Sequence, residues 1–136
     1  MKKLVFVDAG VLIAAARGDD EISEQAMEIL DNPDVRFASS IFVKLEVLPK
    51  PLYQNKKDEV LFYEAFFASV SVWAEPSPEL VQNAYKEAIN SGLSAIDALH
   101  ISSAAMVNAD EFVTSEKLSR PIHRSKLVPV KTIMVD

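Results

Sequence analysis

The stretch Lys3-Leu4-Val5-Phe6-Val7-Asp8-Ala9-Gly10-Val11-Leu12-Ile13-Ala14-Ala15 changes its hydrophobic rhythm in the middle. Residues 3–7 are a short, β-rich apolar run, whereas residues 11–15 belong to a helical pattern. The switch places Asp8 at the carboxyl end of a first strand, directly before a helix. A run without polar alternation is the mark of a strand buried on both faces, as in a parallel sheet covered by helices. Asp8 interrupts the run and no small-residue cleavage site follows, so the segment reads as a buried strand rather than a signal peptide.

Outward from this unit the alternation repeats. Ile22, Ala26, Ile29 and Leu30 recur at helical spacing and stop near Asn32-Pro33. Residues 35–38 read as a second strand. Ser39 or Ser40 can cap a helix over 41–48, which Pro49 and Pro51 are expected to terminate. A helix over 58–68 carries Val60, Leu61, Phe62, Phe66 and Phe67, and a third strand follows over 70–73. Ser77-Pro78-Glu79 is a strong helix start, and Gly92 suits the position just past that helix. Ser94 then caps a helix that runs to about Val107. Strands are expected over 111–114 and 131–135. The pattern predicts an α/β domain around a central parallel sheet, with 1–136 forming one domain.

Composition bounds the function. Apolar residues make up 49% and charged residues 25%, an ordinary globular balance, and no apolar run is long enough to cross a bilayer. The absence of cysteine excludes disulfides and thiolate metal sites, and fits a cytoplasmic protein. A formal charge of −6 argues against holding nucleic acid by bulk electrostatics. The charge is uneven: residues 18–34 hold seven acids and no Lys or Arg, while 117–131 hold five Lys or Arg and no acid. With only Gly10, Gly18 and Gly92, there is no glycine-rich phosphate loop of the P-loop or dinucleotide kind.

In open parallel sheets ligands bind beyond the carboxyl ends of the strands. Asp8 ends the first strand, Thr114-Ser115-Glu116 ends the fourth, and Asp97 opens a helix. Glu46 lies inside an otherwise mostly apolar helix. These four acids can therefore converge on one pocket. Asp97 also completes a capping box with Ser94, so it can equally serve the helix start alone. Crowded carboxylates repel unless a cation joins them. Mg²⁺ or Mn²⁺ takes carboxylate and water oxygens, and such ions can clamp an in-line attack on a phosphodiester. His100, three residues after Asp97, reads either as part of a metal pair or as a packed histidine behind the ligands. His123 falls in a loop and is expected to be exposed. Arg17, Lys44 and Lys50 fall near the acidic mouth, where they can touch phosphates or simply face solvent.

The order Val7-Asp8-Ala9-Gly10-Val11-Leu12-Ile13, then Glu46, then Ala95-Ile96-Asp97-Ala98-Leu99-His100, then Val113-Thr114-Ser115-Glu116, resembles the PIN-domain nucleases. The resemblance covers essentially the whole chain, and the length suits VapC-type toxin ribonucleases. It implies a three-layer α/β/α fold and a Mg²⁺- or Mn²⁺-dependent endoribonuclease cutting single-stranded RNA. It implies acidic ligands at Asp8, Glu46, Asp97 and Glu116, a homodimer, and a small antitoxin that inserts into the active-site groove. Two departures stand out. Ala9 and Gly10 replace the usual small polar residue and asparagine or serine after the first aspartate, and Glu116 replaces the usual aspartate of a T-x-D pattern. They leave open an alternative, a weakly active or inactive module that binds RNA or protein.

Overall fold

In the computed structural model, which describes residues 2–18 and 20–134, the alternation becomes a five-stranded sheet flanked by helices. The strands are β1 (Lys3–Val7), β2 (Val35–Ser40), β3 (Val72–Ala74), β4 (Glu111–Thr114) and β5 (Val130–Thr132). All four pairings are parallel, in the order β3-β2-β1-β4-β5. The chain lays β2 and β3 on one side of β1, then returns to lay β4 and β5 on the other. The reversal opens a crevice between the carboxyl ends of β1 and β4, where such sheets bind ligands. The register Val7 to Val113 brings these two strand ends level, and the Asp8 amide donates to the Val113 carbonyl at 2.9 Å.

Helices α1 (Ala9–Arg17) and α2 (Glu21–Leu30) connect β1 to β2. The β2–β3 connection holds α3 (Ile41–Val47), α4 (Pro49–Tyr53) and α5 (Lys57–Ser69); α6 (Pro78–Ser91) and α7 (Ala95–Met106) lead to β4. Phe6 and Phe112 stack in the sheet with ring centroids 5.6 Å apart. Leu12, Ile101 and Ile122 are fully buried in the same core. The buried residues of α7 are mostly small, Ala98, Ser102, Ser103 and Ala104, with Ile101 and His100 among them. This lets it pack against β2, β3 and β4 and projects its first turn to the sheet edge. Gly92 adopts φ +66°, the left-handed conformation that ends α6 and permits the sharp turn into α7.

Three expectations are corrected. Pro49 and Pro51 do not stop helical structure: α3 ends at Val47 and α4 begins at once. Both prolines sit in the first turn of α4, where backbone N–H groups have no intrahelical partner to lose. The third strand starts later than expected, because Val70 still caps α5 and Ser71 donates to the Phe37 carbonyl. The fifth strand occupies Val130–Thr132, while Val135, expected in it, lies outside the described residues, as does Asp19 of the acidic run. Among the described residues no helix is long and apolar enough to cross a membrane.

Candidate functional site

Asp8 is built into the crevice by the strand-to-helix switch. It is the N-cap of α1, with Oδ1 accepting from the Ala9 amide at 2.8 Å and Oδ2 accepting the Thr114 hydroxyl at 2.8 Å. Thr114 Oγ1 in turn accepts the Glu116 amide at 3.1 Å, so the end of β4 is tied to the first acid. Asp8 is only 7% exposed. Burial pushes its carboxyl above its ordinary value; Asp97 and Glu46 push it further, while His100 and the Thr114 hydroxyl pull it back.

Asp97 occupies the first turn of α7, with its amide donating to Ser94 Oγ at 3.3 Å. Its carboxyl is also raised, first by burial and then by Glu116 and Glu46, against the opposing pull of His100 and Ser94. Ser94 therefore caps α7 through the backbone amide of residue 97, while the Asp97 carboxylate stands in the field of the other acids. Two acids raised by burial and by neighbouring carboxylates mark a place suited to a cation.

Glu46 projects from α3 so that its Oε1 lies 2.5 Å from His100 Nε2, and His100 Nε2 lies 3.9 Å from Asp8 Oδ1. Ligand-capable atoms of Asp8, Glu46 and His100 all fall within 4.8 Å of one another. Asp97 and Glu116 stand outside this tight group; Asp97 acts on Asp8 through charge, and Glu116 acts on Asp97. His100 is fully buried, packed beside the Phe6 ring. A carboxylate can only accept, so Nε2 carries the proton it gives to Glu46. Nδ1 has no hydrogen-bond partner among the described residues. A histidine bound to metal through Nε2 would carry its proton on Nδ1 and normally donate it to a neighbouring acceptor. That acceptor is missing here, so the geometry suits His100 as the group that aims Glu46 rather than as a ligand.

Glu116 sits at the rim, with Oε2 3.4 Å from Arg120 Nε. His123 is half-buried rather than exposed, its Nε2 2.9 Å from the Glu116 carbonyl oxygen, an acceptor that requires Nε2 to be the donor. Lys44 leaves the mouth altogether, lying over the Trp73 and Phe67 rings at 4.9 and 5.4 Å. Gly10 has a structural reason: a Cβ there would lie 2.1 Å from Ser115 Oγ and 3.2 Å from its Cβ. The first turn of α1 and the end of β4 approach so closely that no side chain fits at position 10 without displacing Ser115. The Thr114 link to Asp8 was missed in the sequence, although a hydroxyl at a strand end two residues before an acid was a visible signal.

The fold and its crevice define a parallel α/β protein with carboxylates gathered at the sheet's switch point. The family model described as PIN domain matches residues 5–118, and the chain belongs to the PIN domain family. No curated protein matches the sequence at a significant level. Among solved structures, VapBC2 from Rickettsia felis, bound to a promoter DNA fragment, aligns with TM-score 0.70 at 15% identity, covering 95% of this chain and 98% of that one. VapBC-1 from nontypeable Haemophilus influenzae aligns with TM-score 0.70 at 15% identity, over 96% and 98%. Mycobacterium tuberculosis VapC20, described as a Sarcin-Ricin loop cleaving toxin, aligns with TM-score 0.63 at 16% identity, over 79% and 86%. At these identities the likeness establishes the fold.

Proposed function

We propose that residues 1–136 form a single nuclease domain that cleaves single-stranded RNA internally with Mg²⁺ or Mn²⁺, and that it is the toxin of a toxin–antitoxin pair. The observation that carries this reading is Asp8: a buried carboxylate at the switch point, raised by burial and by two further acids, with Glu46 beside it. The donor set fits a hard divalent cation, since it offers carboxylate oxygens and no thiolate. Asp8, Glu46 and Asp97 would hold the ion, with Glu116 contributing from the rim. A divalent ion bound by such a set supplies Lewis-acid charge and lowers the pKa of water.

The chain's own residues do the rest. The Ala9 amide and Thr114 hydroxyl fix both oxygens of Asp8 and leave it little rotamer freedom. His100 holds Glu46 towards Asp8. The buried floor formed by Phe6 and His100 keeps bulk water away from one side of the acids and strengthens their field. Among the described residues no serine or threonine hydroxyl at the acids is hydrogen-bonded to a histidine, so water is the attacking group in this reading.

The VapBC complexes among the structural neighbours support an antitoxin as partner, and the cleaving toxin VapC20 supports RNA as substrate. A homodimer and a cytoplasmic setting complete the proposal. Labelled single-stranded RNAs, incubated with partner-free protein and either Mg²⁺ or Mn²⁺, should be cut, and cutting should stop on adding EDTA. Undiminished cutting in EDTA would overturn the metal chemistry. Absence of cutting across a broad RNA panel would favour a binding module.

A further inference from the structure

A cavity adjoins the acid cluster at Glu46, and its wall carries three cations against two acids. It has a volume of about 420 Å³ and lies between α1, α3, α4 and α5, with Glu46 in its wall. Its cations are Arg17 from the end of α1, Lys50 from α4 and Lys56 from the α4–α5 turn. All three are exposed, and none forms an ion pair among the described residues. The other acid in the wall, Glu59, already accepts the Tyr63 hydroxyl at 2.9 Å.

The backbone holds the cations on one side of the molecule. Asn55 adopts φ 56° and turns the chain, after which the Lys56 amide donates to the Pro51 carbonyl at 2.9 Å. Lys56 is thereby folded back towards Lys50. Pro51, Val47 and Ile13 give the same cavity an apolar wall. In a chain of formal charge −6, three unpaired cations beside an apolar surface select an anionic group attached to an apolar plane.

We propose that this cavity is an RNA subsite: a phosphate neighbouring the cleaved one sits among Arg17, Lys50 and Lys56, and its nucleoside lies on the Pro51 side. The proposal rests on the ribonuclease reading, because Glu46 borders both sites and a strand reaching the acids runs past it into the cavity. An acidic peptide would meet the same cations; a polynucleotide is favoured because the proposed cleavage brings its phosphodiester to the acids through a bound cation, so that the next phosphate along the strand falls at the cavity. A polynucleotide carries the same strand through both places.

Fluorescence anisotropy of a labelled single-stranded RNA, with the full chain in EDTA across a salt series, reads binding apart from cutting. The variant Arg17→Gln/Lys50→Gln/Lys56→Gln is compared with Lys2→Gln/Lys126→Gln/Lys131→Gln, which removes the same three charges elsewhere. All six side chains are exposed, and thermal melts confirm that both variants fold. The cavity variant should bind at least tenfold more weakly and flatten the salt dependence by roughly 0.7 in log–log slope for each phosphate no longer neutralised. The control should stay within twofold of the parent. Equal weakening in both variants, undiminished binding by the cavity variant, or capture of an acidic peptide in place of RNA would each overturn the subsite. Failure of the nuclease reading shows differently, as metal-independent or absent cutting by the parent while the binding difference between the two variants persists.

Discussion

Asp8 and Glu87 are buried alike, at 7% and 6% exposure, in different parts of the molecule. Glu87, on α6, accepts the hydroxyls of Ser91 at 2.9 Å and Ser125 at 2.5 Å. Both donors are neutral; Ser91 lies on α6 itself, and Ser125 ties α6 to the segment leading into β5. Asp8 also accepts a hydroxyl and an amide, but beyond them it faces Glu46 and Asp97. The first carboxylate is a tether satisfied by the fold itself; the second is held rigidly in a field that the fold leaves uncompensated. Burial of an acid thus says little about function until its neighbours are counted by charge.

The strongest way to break this comparison is to neutralise one acid in each place. Asp97→Asn should reduce cleavage by about 10²–10³-fold or more, the scale of removing a group that acts on developing charge. In EDTA its melting temperature should be unchanged or higher, because one repulsive charge is gone. If Asp97 served the helix start alone, asparagine would keep the capping hydrogen bond and activity would survive. A cleavage assay and a thermal melt on the same preparation decide between these.

Glu87→Ala should show the opposite profile. The buried Ser125 hydroxyl and the half-buried Ser91 hydroxyl lose their acceptor, at a cost of about 1–3 kcal/mol in urea unfolding, while turnover per folded molecule stays the same. A loss of turnover without a loss of stability would place Glu87 in the chemistry and dissolve the contrast.

A smaller effect sharpens the picture of how the site is assembled. Gly10 lies inside α1 and has no left-handed backbone angle, so alanine would normally stabilise it by about 0.5–1 kcal/mol. Contact with Ser115 reverses the sign: Gly10→Ala should destabilise by about 1 kcal/mol. With Ser115→Gly already present, the same substitution should become stabilising. Chemical denaturation of the four proteins in this cycle measures the coupling, and additive effects would show that α1 and the end of β4 are not in contact at this point.

Much of the architecture was legible because its causes are local. The apolar run ending at Asp8, the caps at Ser77 and Ser94 and the left-handed Gly92 each act within a few residues. They fixed the element order and put Asp8, Asp97 and Glu116 near one edge. What was hidden depends on which distant segments meet. The Glu46–His100 contact joins residues 54 positions apart, and the Gly10–Ser115 contact requires the register between β1 and β4. The continuation through Pro49 was hidden for a different reason. Proline breaks a helix interior and suits a first turn, and only the observed break after Val47 distinguishes the two. Lys44 shows the same limit, since nothing local assigns it to the faces of Trp73 and Phe67 rather than to the mouth.

The finest test of the four-acid reading is Glu116, which departs from the family pattern and has two separable parts. Its amide donates to Thr114 Oγ1 and so supports Asp8 whatever the side chain is. Its carboxylate is 42% exposed and paired with Arg120 at 3.4 Å, an exposed pair that contributes at most about 1 kcal/mol. Glu116→Ala keeps the amide and removes the carboxylate, so stability should change little. Cleavage should fall, but by less than in Asp8→Ala or Asp97→Ala. One extra methylene lets glutamate reach further than aspartate but fixes its oxygen less well. Mg²⁺ demands near-ideal octahedral geometry, so a loosely placed oxygen favours a more tolerant ion such as Mn²⁺. Glu116→Asp should accordingly be mild, or improve activity with Mg²⁺ relative to Mn²⁺. Titrating each variant against both metals checks this, and an unaltered metal dependence in Glu116→Ala would leave Asp8, Glu46 and Asp97 as the whole of the acid set.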